Sequence, residues 1–192
     1  MILNMTYIQS SIPDASTICR LLESTIEGKS NEPSFHLIEH SKVLQIATKL
    51  AENNAEQWRA EDAARNPNRT DAEVGRLKRT IDRLNERRVE LINDLHDSFV
   101  EELRRTLRDK VEVAFVSPAD LIDRISILCL RVCSLKVQIA CGQSNLETRG
   151  LLNASVEDLT HEEAHLGWLL QSLNRGILKL RARRIAKIYQ RQ

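Results

Sequence analysis

Aromatic residues are scarce in this chain. Phe, Trp and Tyr make up 4% of its 192 residues, with 6 Gly and 4 Pro. A turn-rich all-β fold needs more of each, so that class is excluded. No apolar run approaches the roughly 20 residues that span a bilayer as a helix. Charge of one sign is also lacking: 28 Lys and Arg face 27 Asp and Glu, a net charge of +1. No global field therefore points to nucleic acid. Cys19, Cys129, Cys133 and Cys141 show no disulfide-framework spacing, and reduced thiols are the expectation. The opening residues MILNMTYIQSS have no basic start, long apolar core or small-residue cleavage site. That favours a cytoplasmic protein. Nor is there a Gly-rich phosphate loop, a G-x-S-x-G elbow or a paired C-x-x-C, and no cofactor is expected.

What is present reads as helix. Residues 1–34 form an N-terminal segment with a short helix over Ser16–Glu27, which uses Ile18, Leu21, Leu22 and Ile26. Gly28–Ser34 has loop composition. Residues 35–192 read as a single helical bundle domain. A helix over Phe35–Arg65 is broken by Asn66-Pro67, and Thr70 to Glu73 forms a capping box. A long central helix follows from Glu73 to about Arg108, with the stripe Val74, Leu77, Ile81, Leu84, Arg88, Leu91 and Leu95. Lys110–Val116 reads as a linker or a brief extended piece. Ser117-Pro118-Ala119-Asp120 opens a helix that ends near Cys141-Gly142. A polar connection to Asn153 precedes a last helix, opened by Ser155 or Thr160, whose core face runs from Leu166 to Leu180. The fold class is all-α: a bundle of four to six helices with one long central helix.

Charges interrupt the apolar faces. Trp58, Asp62 and Arg65 share a helical face with Asn54 and Ala51, and Glu61 flanks it. Lys78, Asp82 and Asn85 share another face. Arg88 sits inside the apolar stripe, and Asp123 and Arg124 interrupt Leu121, Ile122 and Ile125. Burying a lone charge costs several kcal/mol unless it is paired. Either these groups form an internal salt network or stay solvated, or they line a wet cleft that holds a ligand.

The pattern Trp58-x-x-Glu61-Asp62-x-x-Arg65-x-Pro67, then Lys78-Arg79-x-Ile81-Asp82-x-x-Asn85-x-x-Arg88, then Ser117 to Leu128, resembles a family of uncharacterised bacterial helical proteins. That family is a domain of unknown function whose members are often encoded beside sugar-transferase genes for surface polysaccharides. The resemblance spans roughly residues 35 to 190. Where the family pattern carries His after the Trp, this chain has Arg59. Glu86, Glu90, Asn93 and His96 replace Gln, Asp, Glu and Asp. Arg183-Arg184 through Gln192 replace an aromatic-rich ending. The resemblance implies an accessory or ligand-binding protein of surface-glycan biosynthesis, with a glycosyltransferase as a partner. Its cleft, lined by Arg65, Lys78, Arg79, Arg88 and Arg124, would take an anionic or nucleotide-sugar-like ligand. Trp58 would stack on a ring, and Asp62, Asp82 and Asp123 would orient the basic groups.

Competing readings stay open. Glu61, Asp62 and neighbouring carboxylates suit a metal-assisted hydrolase or transferase. Stripe charges pairing across two copies suit a homo-oligomeric interaction module. His161-Glu162-Glu163-Ala164-His165 is a literal H-E-x-x-H, but it lacks a downstream third ligand. With Cys129 and Cys133, His161 and His165 would make a closed Cys2His2 site. The short acidic run at His161–Glu163 is accounted for more simply as a capped first helical turn. His36 and His40 are also i, i+4, with no third ligand. The basic tail from Arg175 to Arg191 suits a solvated helix end, or a peripheral contact with anionic lipid.

Overall fold

A computed structural model describes residues 12–28, 38–103, 112–142 and 145–181. Five helices carry the fold: α1 (Ala15–Glu27), α2 (Lys42–Ala64), α3 (Asp71–Leu103), α4 (Pro118–Ala140) and α5 (Leu146–Asn174). The two-residue strands β1 (Glu112–Val113) and β2 (Leu178–Lys179) pair in parallel, Glu112 opposite Leu178. The protein is an all-α bundle. At about 1.5 Å per residue, the 33 residues of α3 extend about 50 Å, and α3 is the longest element described.

Local chemistry sets the ends. Asp14 caps α1 by accepting from Thr17 N, and Gly28 closes it in the left-handed region at φ 68°. The Glu73 carboxylate accepts from Thr70 N at 2.9 Å, while Glu73 N donates to Thr70 Oγ1 at 3.4 Å, the expected capping box. Ser117 and Asp120 make a second box, with Pro118 in the first turn of α4.

Helices α2 and α3 form one antiparallel hairpin, and α4 and α5 form another. Helix α1 packs across α2, α4 and α5. Ile18, Leu22, Leu44, Leu50, Leu95, Phe99, Ile122, Ile125, Leu166 and Leu173 fill one continuous core.

Three boundaries differ from expectation. Residues 38–40 are helical, but Ser41 is extended and starts α2 afresh as its N-cap. Helix α5 begins at Leu146, nine residues before Ser155, with Asn145 accepting from Thr148 N. Its first turns run beyond the core, so Leu146 is 91% exposed and no inward apolar stripe marks them. His161–Glu163 therefore lie mid-helix rather than in a first turn. At the far end α5 stops at Asn174. Gly176 turns the chain at φ 65°, which sends Ile177 into solvent and Leu178-Lys179 to β1. The expected helical face through Leu180 is cut short there. The brief extended piece expected before Ser117 is there as Glu112–Val113, for which β2 offers a partner. All of the Gly28–Ser34 loop after Gly28, Phe35, His36, the end of the long helix near Arg108 and the tail beyond Arg181 lie outside the described residues.

Candidate functional site

The buried charge on α4 is Asp123, 7% exposed. Arg88 on α3 reaches it with two parallel bonds, Nε to Oδ1 at 2.8 Å and Nη2 to Oδ2 at 2.6 Å. Asn54 on α2, 1% exposed, adds a third donor to Oδ1 at 3.0 Å and donates to Ser126 Oγ at 2.7 Å. Ser126 returns its hydroxyl to the Asp123 carbonyl. Three helices thus converge on one carboxylate. Its partners satisfy the charge, which is the condition for keeping it in the core. The bond to Asp123 raises the Arg88 pKa against the opposing effect of burial. The guanidinium is permanently charged.

Arg88 also lines a cleft of about 460 Å³ between the hairpins, with Arg124, Ile127 and Leu128 of α4 and Asp158, His161 and Glu162 of α5. Arg124 Nη1 lies 3.2 Å from Glu162 Oε1. A guanidinium has five N–H donors. Arg88 gives two to Asp123 and Arg124 pairs with Glu162, so each keeps N–H groups that these partners do not use, and both residues line the cleft. The wall between them is apolar. Glu162 Oε2 is buried, and among the described residues no donor reaches it; His165 Nδ1 is 3.8 Å away. His165 in turn sits beside Trp168, ring centroids 6.1 Å apart.

The expected residues divide into two groups. Arg88, Asp123 and Arg124 come together. Glu61 is half-buried: it accepts from Gln57, pairs with Arg65 and adds its negative charge near Arg88, while Arg65 also holds the exposed Asp62 at 2.8 Å. Asn85 accepts from Gln57 at 3.3 Å. Trp58 is half-buried on α2 and lies outside the cleft lining, as do the exposed Lys78, Arg79 and Asp82 on α3. Of the five basic residues expected around a ligand, Arg88 and Arg124 line this cleft, while Arg65, Lys78 and Arg79 are exposed outside its lining.

The Cys2His2 arrangement is not assembled. Cys129 and Cys133 line a small cavity of about 70 Å³ against Glu23 and Glu27 of α1, while His161 lines the larger cleft. Among the described residues no three His, Cys, Asp or Glu side chains are grouped to hold a metal ion. Burial pushes the Cys19 and Cys129 thiols up to about 12, so both are neutral core groups. His40 is exposed on residues 38–40.

Sequence reasoning missed Ser126, Asp158, Glu162 as the Arg124 partner, and Trp168. A one-turn offset on α4 could have flagged Ser126 beside Asp123. Nothing in the sequence fixes how α5 registers against α4. Sequence reasoning also missed the role of His96, which is 2% exposed. Its Nε2 lies 3.0 Å from the Arg181 carbonyl and its Nδ1 lies 2.7 Å from Ser117 Oγ. A carbonyl only accepts, so Nε2 carries the proton and the Ser117 hydroxyl donates to Nδ1.

Fold and site together define an all-helical protein with a polar cleft between two hairpins. The chain belongs to the family described as Protein of unknown function (DUF4254), whose model matches residues 44–185. No curated protein and no solved structure matches it. Among the described residues no helix is long and apolar enough to cross a membrane.

Proposed function

We propose that the chain binds a small anionic ligand of the nucleotide-sugar kind in the cleft between α3, α4 and α5. It would act as an accessory protein of surface-glycan biosynthesis alongside a glycosyltransferase. The observation that carries the binding is Arg88, whose Asp123 clamp fixes the guanidinium while its remaining edge lines a cleft of about 460 Å³. Ligand sites of roughly 300–1,000 Å³ with apolar walls and a few convergent polar groups are the usual form. The glycan context rests on the family resemblance.

The lining holds two arginines against Asp158 and Glu162, with Asp123 behind Arg88. Recognition therefore falls to directed N–H donors on a preset guanidinium rather than to net positive charge. Calorimetric titration with a uridine diphosphate sugar tests this. Saturable binding that is lost when Arg88→Met and Asp123→Leu are combined supports the reading. No binding, or binding that the double variant retains, removes it.

A second reading has its own observation. Val137, Leu146, Leu151 and Val156 are exposed apolar residues near the α4–α5 turn, which suits a homo-oligomeric contact. Solution mass measurement decides it, and a strict monomer removes it.

A further inference from the structure

Strands β1 and β2, with the residues that continue them, alternate in burial. Ala114, Val116, Leu178 and Leu180 pack against the core. Between them Val113, Phe115 and Ile177 are 41%, 98% and 58% exposed. Lys179 lies opposite Val113 in the ladder, and the exposed Arg181 follows two residues on. Neighbouring side chains of an extended chain point to opposite sides, so these five residues make up the outward face. Single exposed apolar residues are ordinary, but here three share one face with two cations.

The face is held at both ends. Ala114 N donates to the Lys179 carbonyl at 2.9 Å. The buried His96 bonds Ser117, two residues past Phe115, at 2.7 Å, and the Arg181 carbonyl at 3.0 Å. Phe115 is thus presented to water between fixed points, which lowers the ordering cost of binding through it. Charge gathers in the same place. Among the described residues no acid pairs with Arg175, Lys179 or Arg181, and Glu112 is the one acid on the two strands. The sequence from Arg175 to Gln192 holds 7 Lys and Arg and no acid, so against a total of +1 the chain up to Asn174 carries −6.

Single-stranded nucleic acid would need cations interleaved with stacking rings, and the aliphatic Val113 and Ile177 cannot stack on a base. Aliphatic and aromatic side chains beside Lys and Arg suit a lipid interface instead. Apolar groups enter the acyl boundary while the cations meet anionic headgroups. We propose that the outward face of β1 and β2 docks on a bilayer surface rich in anionic lipid. Phe115 and Ile177 are its apolar anchors, and Lys179 and Arg181 its headgroup contacts. The cleft reading neither needs this face nor falls with it.

The test floats the full chain with vesicles of phosphatidylcholine alone, and with vesicles in which about one third of the lipid is phosphatidylserine. The chain is expected to float with the anionic vesicles, to ignore the neutral ones, and to be released in about 1 M salt. Phe115→Ala should weaken the partition about tenfold, the worth of one ring withdrawn from water, and leave the urea midpoint unchanged. Combining Lys179→Gln with Arg181→Gln should weaken it on the order of tenfold as well. No flotation, or equal flotation with neutral vesicles, overturns the proposal. Flotation that Phe115→Ala and Ile177→Asn both leave undiminished overturns the face as the contact and leaves the basic sequence alone as the cause. Tighter binding to a single-stranded oligouridylate than to the vesicles overturns it in favour of nucleic acid.

Discussion

Arg88 Nη2 lies 2.6 Å from Asp123 Oδ2 and Arg88 Nε lies 2.8 Å from Oδ1, a two-bond junction between α3 and α4 across 35 residues of sequence. Asn54 joins α2 to the same carboxylate. The junction is structural on one side and open on the other, since the Arg88 side chain is 29% exposed and Asp123 10%.

Removing one partner should therefore cost more than removing both. Asp123→Ala leaves the inner edge of Arg88 without an acceptor and the Asn54 amide with Ser126 alone. We expect a loss of about 3 kcal/mol, the low end for breaking a buried pair, because Arg88 keeps contact with water. Combining Arg88→Met with Asp123→Leu should recover most of that loss. Urea unfolding of the single and double variants gives both numbers. A double variant as unstable as the single would contradict the pairing account.

The thiols predict an ordered reactivity and an alkaline limit. Cys141 is exposed, Cys133 half-buried, and Cys19 and Cys129 buried. A thiol reagent at pH 8 should modify Cys141 first, and Cys19 and Cys129 only on unfolding. Burial raises both core thiols from 9.0 to about 12. Above pH 9 the unfolded chain loses these protons while the folded chain keeps them. Their contribution is therefore full below about pH 9 and lost as pH rises towards 12. Stability measured from pH 8 to 11 should fall, and Cys129→Ala should reduce the slope. A flat profile would contradict the assignment.

The start of α5 is where sequence reasoning failed most, and it gives a direct check. Gly150 lies mid-helix, and a Cβ placed there meets nothing within 4 Å. Gly150→Ala should raise stability by roughly 0.5–1 kcal/mol and increase helical circular dichroism. A loop at 142–153 would give neither effect.

Legibility followed physical cause. The helix starts at Thr70 and Ser117 were readable because their caps are local chemistry, fixed within four residues. Arg88 and Asp123 stood out because a charge in an apolar stripe needs a partner. The partner's identity depended on helix register, which no local pattern encodes. Lys78 and Arg79 looked equivalent to Arg88 in the motif, yet they lie on the exposed flank of α3. Residues 145–153 looked like a connection because that part of α5 packs on little, and its apolar side chains therefore carry no inward period.

His96 ties the end of the described chain to the core, and its proton assignment is testable. Ser117→Ala removes both the α4 cap and the donor to Nδ1, and should cost about 2 kcal/mol. In the native protein, imidazole nitrogen shifts should show His96 as the Nε2–H form. An Nδ1–H form would contradict the hydrogen-bond directions.

The central claim is that the fixed Arg88 meets a ligand in the α3–α4–α5 cleft. Side-chain Nε–H resonances of arginine, recorded by nuclear magnetic resonance while a uridine diphosphate sugar is added, test it most directly. The account predicts that the Arg88 and Arg124 signals move saturably and together, while exposed Arg65 and Arg79 stay in place. Signals of Arg88 and Arg124 that remain fixed throughout the titration would contradict it.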